Sequence, residues 1–371
     1  MGSPVDPHAN EPERPPAPRA AEPTREADAA FDDAVSPYRF VLPDELVARY
    51  PPDVRGTSRL LHVPLFGGDV RHERFPDLLG HLRAGDRLVV NDTKVLAARV
   101  QARRATGGKL ELLVLEPGPG PVRALARPAK KLKQGDRLTL RAGGAATVVD
   151  ESVEGVVRVA FDDDPLDVMA AQGALPIPPY LGRDEEAVDR ERYQTVYAAA
   201  PGSAAAPTAG LHFTDPLLDS LTAKGVGITR VTLHVGLGTF RPLRPEDLAR
   251  GRLHQERIVV SEQAAHELSE TRSQGGRVIA VGTTSCRTLE GATPVGARSP
   301  EPCDTVTDLF VQPGYRFRCV DGLVTNFHLP GSSLLMLVAA LAGRDRVLSA
   351  YQTAVHHGYR FYSYGDAMLL L

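Results

Sequence analysis

The sequence predicts an α/β fold: a large α/β domain with an inserted small antiparallel β-barrel domain. Two patterns point there. Helical spacings such as Glu262 to Gln274 alternate with apolar strands such as Arg277 to Val281, the signature of helices packed on a sheet. Between about residues 66 and 163, short strand-like runs recur roughly every ten residues, each set off by a turn signal, as in small barrels and sandwiches. A third observation bears on function. Small, polar and glycine-rich runs stand at the predicted strand ends, where open α/β sheets place their sites.

Taken in order, residues 1–36 are rich in Pro, Ala, Glu and Asp and hold little to bury, so they read as a disordered tail. Tyr38 to Leu46 opens the folded body, with Pro43-Asp44-Glu45 as a helix start. In the β block, Gly85-Asp86 precedes Arg87–Asn91, Gly107-Gly108 precedes Lys109–Leu115, and a Gly/Pro cluster at 117–121 leads into Val122–Ala126. Gly135-Asp136 then precedes Arg137–Leu140, followed by Ala146–Val149 and Gly155–Phe161. The expected division is an α/β catalytic domain over 37–65 and 164–371, with the barrel over 66–163. The sequence holds no internal repeat.

Composition narrows the class. The chain has 371 residues, 42% hydrophobic and 24% charged, as in globular proteins. No apolar run approaches the roughly 20 residues that span a bilayer, and no secretory leader is visible. Cys286, Cys303 and Cys319 form no Cys-x-x-Cys pair. This argues for a reducing, cytoplasmic setting and against a zinc or disulfide framework. The tail carries eight acidic and three basic side chains, net −5 against −3 for the whole chain, so the body is +2. A nucleic-acid partner would therefore need a local basic patch. The densest basic run is Arg127, Lys130, Lys131 and Lys133, with Arg103, Arg104 and Lys109 nearby. Its readings are phosphate contacts or a solvated face.

The most informative stretch is Gly202-Ser203-Ala204-Ala205-Ala206-Pro207-Thr208-Ala209-Gly210-Leu211-His212-Phe213. It is too small-residued to build a core and too apolar for a solvated loop. Gly202 and Gly210 allow close backbone approach, and Pro207 biases Ala206 away from helix. Such a segment suits a backbone lying flat on a ligand; the alternative is a tight packing loop with a structural His. Downstream stand Val231–Phe240, with Gly236 and Gly238, and Ala280-Val281-Gly282-Thr283-Thr284-Ser285. Thr325-Asn326-Phe327-His328-Leu329-Pro330 and Tyr359–Met368 follow. Gly236 and Gly238 resemble half a dinucleotide fingerprint, but Pro242 follows and no helix opens, which rejects a nicotinamide site. Thr283 to Ser285 could open a helix whose N–H groups and hydroxyls suit a carboxylate or ribose, or serve only as a cap.

These runs, in this order, resemble the S-adenosylmethionine:tRNA ribosyltransferase-isomerase family of queuosine biosynthesis. Further matches are Asn91-Asp92-Thr93-Lys94-Val95, Thr106–Lys109, Ala126–Lys130, Leu175–Tyr180, Arg192–Tyr197 and Gln312–Tyr315. Together they cover about residues 38 to 371. The resemblance implies the same two-domain architecture. It also implies transfer of the ribosyl part of S-adenosylmethionine to 7-aminomethyl-7-deazaguanine at the tRNA wobble position. The sugar rearranges to an epoxycyclopentanediol, giving epoxyqueuosine, while adenine and methionine leave. The sulfonium acidifies the adjacent C5′ protons, so the protein must supply a base, a dry pocket and donors for the leaving adenine. S-adenosylmethionine is then a substrate, and neither a prosthetic group nor a metal is implied.

Candidate acid/base groups are His212, His234, His254 and His328, since an unperturbed His titrates nearest neutral pH. A hydrogen-bonded core role is the alternative for each. The resemblance favours His212 and His328, with His234, Thr283 and Thr284 completing the expected catalytic set. Gly202, Ser203, Pro207, Thr208, Gly210, Gly236, Gly238, Gly282, Asn326 and Phe327 are expected to bind the donor. No two of the four His have the close spacing of a metal site. Tyr180, Tyr193, Phe213 and Phe240 are available to stack a flipped base. The chain departs from the family pattern at Gly251, where a His is common, and at Gly331, where a polar residue is common. Ala97 and Ala102 also differ, and the stretch from Gly291 to Pro302 is short. The alternatives are a diverged paralogue with another acceptor and a non-catalytic RNA-binding protein. The expected protein is a cytoplasmic monomer without a membrane segment.

Overall fold

The structure, a computed structural model, describes residues 25–130, 132–150, 152–153, 155–236 and 243–371. Lys131 and Gly238 lie outside them. In chain order the elements are α1 (Arg25–Val35), β1 (Arg59–Val63), β2 (Arg71–Arg74), α2 (Leu78–His81), β3 (Arg87–Asn91) and β4 (Thr93–Val95). Then come β5 (Arg99–Arg104), β6 (Lys109–Glu116), β7 (Val122–Arg127), β8 (Arg137–Leu140), β9 (Ala145–Val148) and β10 (Val156–Phe161). Next are α3 (Pro165–Gln172), α4 (Ala187–Arg192), β11 (Ala200–Ser203), α5 (Asp215–Ala223), β12 (Gly227–Leu233), α6 (Pro245–Arg250) and β13 (Arg252–Val260). The chain closes with α7 (Glu262–Ser273), β14 (Val278–Val281), α8 (Gly282–Ala292), β15 (Cys303–Leu309), β16 (Gly322–Asn326), α9 (Ser333–Ala342), α10 (Arg344–His356) and β17 (Ala367–Leu370).

Among the described residues, nine strands form one mixed sheet in the order β15-β13-β12-β3-β14-β16-β17-β1-β2, and β5 to β10 close a six-stranded barrel. The expected α/β domain with a small β-barrel is therefore what the chain builds. The barrel strands alternate as a closed sheet requires: Val122, Ala124, Ala126, Leu138 and Leu140 point inward, while Arg123, Arg127, Arg137 and Thr139 do not. In the large sheet β12, β3, β14 and β16 run parallel. Buried on both faces, they read as continuous apolar runs such as Leu88-Val89-Val90.

Three expectations change. Arg87–Asn91, grouped by its turn signal with the barrel strands, pairs instead with β12 and β14 at the centre of the large sheet. The Gly-Asp turn marks a strand start in either setting; the uninterrupted burial of β3 decides which. Pro43-Asp44-Glu45 starts only a 3₁₀ turn over Asp44–Leu46. The end of the expected disordered tail forms α1, which packs on α6. Its Val35 is buried against Gly331, where a Cβ would stand 2.8 Å from Val35 Cγ1. With φ at +69° as well, position 331 demands glycine for two reasons.

Buried carboxylates pin the loops at one end of the sheet. Asp366 accepts from the Arg59 and Arg360 backbone N–H groups, each at 2.8 Å. Asp189 on α4 accepts from the Tyr364 hydroxyl at 2.7 Å and from both terminal nitrogens of Arg183. The turn between them holds Tyr362 at φ +70°, a conformation that costs a bulky residue about 1–3 kcal/mol and persists only where its surroundings dictate it.

Gly210 is fixed by packing. A Cβ there would collide with the Tyr197 hydroxyl, which is buried and has no partner among the described residues. Gly210→Ala is expected to cost about 1–3 kcal/mol through overpacking. In the Tyr197→Phe background, denaturant unfolding should show that cost reduced by about 1 kcal/mol. An identical cost in both backgrounds would place the strain elsewhere.

Candidate active site

The carboxyl ends of β12, β14 and β16 open into a cavity of about 800 Å³, the position at which parallel sheets bind ligands. The motif Gly282-Thr283-Thr284 leads directly from β14 into α8, so this helix N-terminus forms one wall. Asn326, Phe327 and His328, at the end of β16, form a second. Ala206, Pro207 and Thr208 form a third, and Tyr180, Tyr193 and Tyr362 supply aromatic surface. Phe31, Val35 and Arg39 border it from α1 and the turn that follows. Residues 237–242, between the lining residues Val235 and Leu243, lie outside the described residues.

Besides His254 Nε2, which faces Glu256 at 3.3 Å, four lining residues carry a buried polar atom with no hydrogen-bond partner among the described residues: Thr284 Oγ1, Asn326 Oδ1, Arg287 Nη2 and Tyr193 Oη. Native proteins pair most such atoms, so a cluster around one cavity marks where a ligand completes them. Each has a cause. Asn326 spends its amide nitrogen on the Tyr362 carbonyl, 3.0 Å, and on His212 Nε2, 3.1 Å. The first bond fixes the amide orientation and leaves Oδ1 unused. Arg287 donates Nε to the Leu309 carbonyl, 3.0 Å, and Nη1 to Glu256, leaving Nη2. Burial alone would raise the Glu256 carboxyl, but Arg287 and then His254 outweigh it and bring it down to about 2.

The histidines divide. His328 lines the cavity. Its Nε2 is 2.7 Å from Thr325 Oγ1, its backbone N–H donates to the Tyr351 hydroxyl, and its Nδ1 has no partner among the described residues. Burial of the ring brings its pKa down to about 3, so it is a neutral imidazole at working pH. His212 is absent from the lining. Its Nδ1 is 2.7 Å from Ser58 Oγ, its Nε2 faces Asn326, and its ring stacks on Phe75. Because Asn326 donates to Nε2, the proton of His212 resides on Nδ1. Burial lowers its pKa to about 4. His234 is also behind the wall: Nδ1 lies 2.9 Å from Thr93 Oγ1, and a Cβ on Gly202 would meet the His234 ring at 2.8 Å. His254 lines the cavity 3.3 Å from Glu256.

Of the residues expected to bind the donor, the cavity brings together Pro207, Thr208, Gly282, Asn326 and Phe327, and of the expected catalytic set Thr283, Thr284 and His328. Gly202, Ser203, Gly210 and Gly236 act one layer out. Ser203 Oγ, for example, accepts the Val235 N–H at 2.8 Å, and Gly236 N–H donates to Glu256 at 3.2 Å. Sequence reasoning missed Arg287 and Glu256. Arg287 lies one helical turn beyond Thr283, the only signal available. The departure at Gly251 has a local role, since it ends α6 at φ +62°.

Arg127, Lys130 and Lys133 are exposed. The register pairs Arg103 with Lys109 on β5–β6 and Glu111 with Arg127 on β6–β7, so Arg103, Lys109 and Arg127 share one outer barrel face. No ion pair involves these five basic residues among the described residues. Also among the described residues, no helix is long and apolar enough to cross a membrane.

The family model described as "Queuosine biosynthesis protein" matches residues 35–370. The chain is 51% identical over 344 residues to an S-adenosylmethionine:tRNA ribosyltransferase-isomerase of Anaeromyxobacter dehalogenans, covering 91% of this chain and 99% of that protein. It is 48% identical over 340 residues to the protein of the same name from Trichlorobacter lovleyi, with the same coverage of each. A crystal structure of an S-adenosylmethionine tRNA ribosyltransferase from Thermotoga maritima resembles the chain with a TM-score of 0.52. The two are 36% identical, over 90% of this chain and 100% of that one.

Burial of His212 has a measurable consequence. Its folded pKa, about 4, lies below the ordinary 6.5, so the unfolded chain binds the proton first. The stability this residue contributes is complete above pH 6.5 and is lost as pH falls toward 4. At pH 5 the loss is about 2 kcal/mol. Denaturant unfolding of His212→Gln should show a fall between pH 7.5 and pH 5 smaller than that of wild type by about this amount. Equal falls would show that the ring is not held neutral.

Proposed function

The chain belongs to the queuosine biosynthesis protein family, and from that premise we propose that its cavity binds S-adenosylmethionine and that His328 takes the proton that starts the reaction. The activity is ribosyl transfer and isomerisation. The ribosyl part of S-adenosylmethionine passes to 7-aminomethyl-7-deazaguanine at the tRNA wobble position, giving epoxyqueuosine with release of adenine and methionine.

The observation that carries the binding assignment is the convergence of four unpaired polar atoms on one cavity. Their chemistry matches the donor. Arg287 Nη2, Thr284 Oγ1 and the first N–H groups of α8 are donors suited to the methionine carboxylate. Asn326 Oδ1 is an acceptor suited to the adenine amino group, and Tyr180, Tyr193 and Tyr362 offer faces for the purine. The sulfonium withdraws charge from C5′ and acidifies its protons, and an imidazole left unprotonated at working pH has a nitrogen free to accept one. His328 meets this description through its unpartnered Nδ1. His212 acts as a positioning residue that aims Asn326. The thioether then leaves uncharged, so this chemistry calls for neither metal nor prosthetic group. The tRNA backbone lies on the basic barrel face, with Arg127, Lys130, Lys131 and Lys133 as phosphate contacts. The enzyme works as a cytoplasmic monomer.

Incubation with S-adenosylmethionine and precursor-bearing tRNA, read by nucleoside mass spectrometry, should give epoxyqueuosine together with free adenine and methionine. S-adenosylhomocysteine as product would defeat the proposal. His328→Gln should lower turnover by about 10²–10⁴-fold while S-adenosylmethionine still binds. Because the folded pKa of His328 is about 3, its deprotonation should not produce an acid limb in kcat near pH 6.5. A limb there that vanishes in His328→Gln would show that the ring is not held neutral; near-normal turnover in a folded His328→Gln would contradict the assignment.

Reversing charge at Arg127, Lys130 and Lys133 should weaken tRNA binding, flattening the log–log salt slope by about 1 per lost phosphate contact, with donor affinity unchanged. Unaltered tRNA affinity across several salt concentrations would leave this run a solvated face.

A further inference from the structure

We propose that His62, Glu73 and His81 form a binding site for a late first-row divalent cation, zinc(II) foremost, at the β1–β2 edge of the large sheet. The three lie within one stretch of 20 residues, and the β1–β2 pairing and α2 bring their side chains together. His62 faces Arg71 across the antiparallel pair and Leu60 faces Glu73, so His62 and Glu73 are diagonal neighbours on one sheet face. Helix α2 ends in His81 over that face. The two imidazole rings stand 4.2 Å apart, and His81 Nε2 is 2.6 Å from Glu73 Oε2. One ligand atom from each of the three residues lies within 4.8 Å of the others.

A second, independent observation points to a ligand. His62 is only 7% exposed, and its Nδ1 makes no well-formed hydrogen bond among the described residues, with the Leu371 backbone near the ring. A tetrahedral zinc ion with bonds of about 2.0–2.2 Å sets its ligand atoms roughly 3.4 Å apart. The longer separations therefore need to close by about 1.5 Å at most, and the His81–Glu73 pair to open from 2.6 Å, both within the reach of small χ rotations. Two imidazoles and one carboxylate suit zinc, nickel or copper and disfavour magnesium and calcium. Arg71 is the nearby cation, and it is exposed, free to swing into solvent. None of the three residues lines the cavity. The ion would thus clamp the edge strand β2 and α2 onto β1, linking metal binding to folding.

The test uses the full chain stripped with chelator and titrated calorimetrically with zinc chloride, with magnesium chloride as a parallel arm. Glu73→Gln and His81→Gln are the comparison variants. Both residues are partly exposed, so the variants should fold, as circular dichroism in chelator would verify. Wild type should take up one zinc and no magnesium, and its Tm should rise by about 3 °C at a hundredfold excess over Kd. Each variant should lose at least about tenfold in zinc affinity and the Tm rise with it. Absence of zinc uptake by wild type would overturn the proposal, leaving a His81–Glu73 ion pair with His62 stacked beside it. Equal uptake by all three proteins would overturn it too, placing the ion on other histidines such as His356 and His357.

Discussion

The side-chain amide of Asn326 is the contact on which the rest of the site depends. It stands at the end of β16 with its nitrogen committed to two acceptors, the Tyr362 carbonyl and His212 Nε2. That double commitment turns its oxygen toward the cavity. The Tyr362 carbonyl is in place only because residues 359–366 are bent into a turn that puts Tyr362 at φ +70°. The turn survives because Asp366 gathers Arg59 and Arg360, and Asp189 gathers Tyr364 and Arg183. On the other side, His212 is held by Ser58 and by the face of Phe75. A single acceptor atom in the cavity thus rests on contacts from β1, α4 and the C-terminal turn.

The same logic sets the energetics of the cavity. Each buried polar atom left unpaired costs about 1–3 kcal/mol, and four of them surround one space. A sequence selected for stability alone would pair or remove them. Their retention is the expected signature of a site whose missing partners arrive with the ligand. The charge balance agrees with this. Glu256 neutralises Arg287 over one terminal nitrogen only, so the guanidinium keeps directed donors without becoming an uncompensated buried charge.

Much of the fold is legible in the sequence because local signals and global structure agree. The barrel strands alternate inward and outward and begin after Gly turns, and β6 to β10 fall where that pattern puts them. The strand Arg87–Asn91 misleads because its Gly-Asp entry is the same local signal, although its unbroken Leu-Val-Val run speaks for burial on both faces. Helix α1 escapes notice because its composition is that of a tail. Its order comes from Phe31 and Val35 seated on the core and from the space that Gly331 leaves. At the site, motif glycines are visible, but their purpose is not. Gly202 and Gly210 make room for His234 and Tyr197, contacts between residues too distant in sequence for spacing to reveal. The same holds for the histidines. Spacing gives four similar candidates, and only burial and hydrogen bonding separate His328, with a nitrogen unpartnered at the cavity, from His212, with both nitrogens occupied.

A crystal structure of the chain with S-adenosylmethionine, in the absence of tRNA, tests this account most directly. The methionine carboxylate should lie against Arg287 Nη2, Thr284 and the α8 N-terminus. The adenine amino group should meet Asn326 Oδ1, and C5′ should face His328. A donor bound with its carboxylate away from α8, or with C5′ turned from His328, would contradict it.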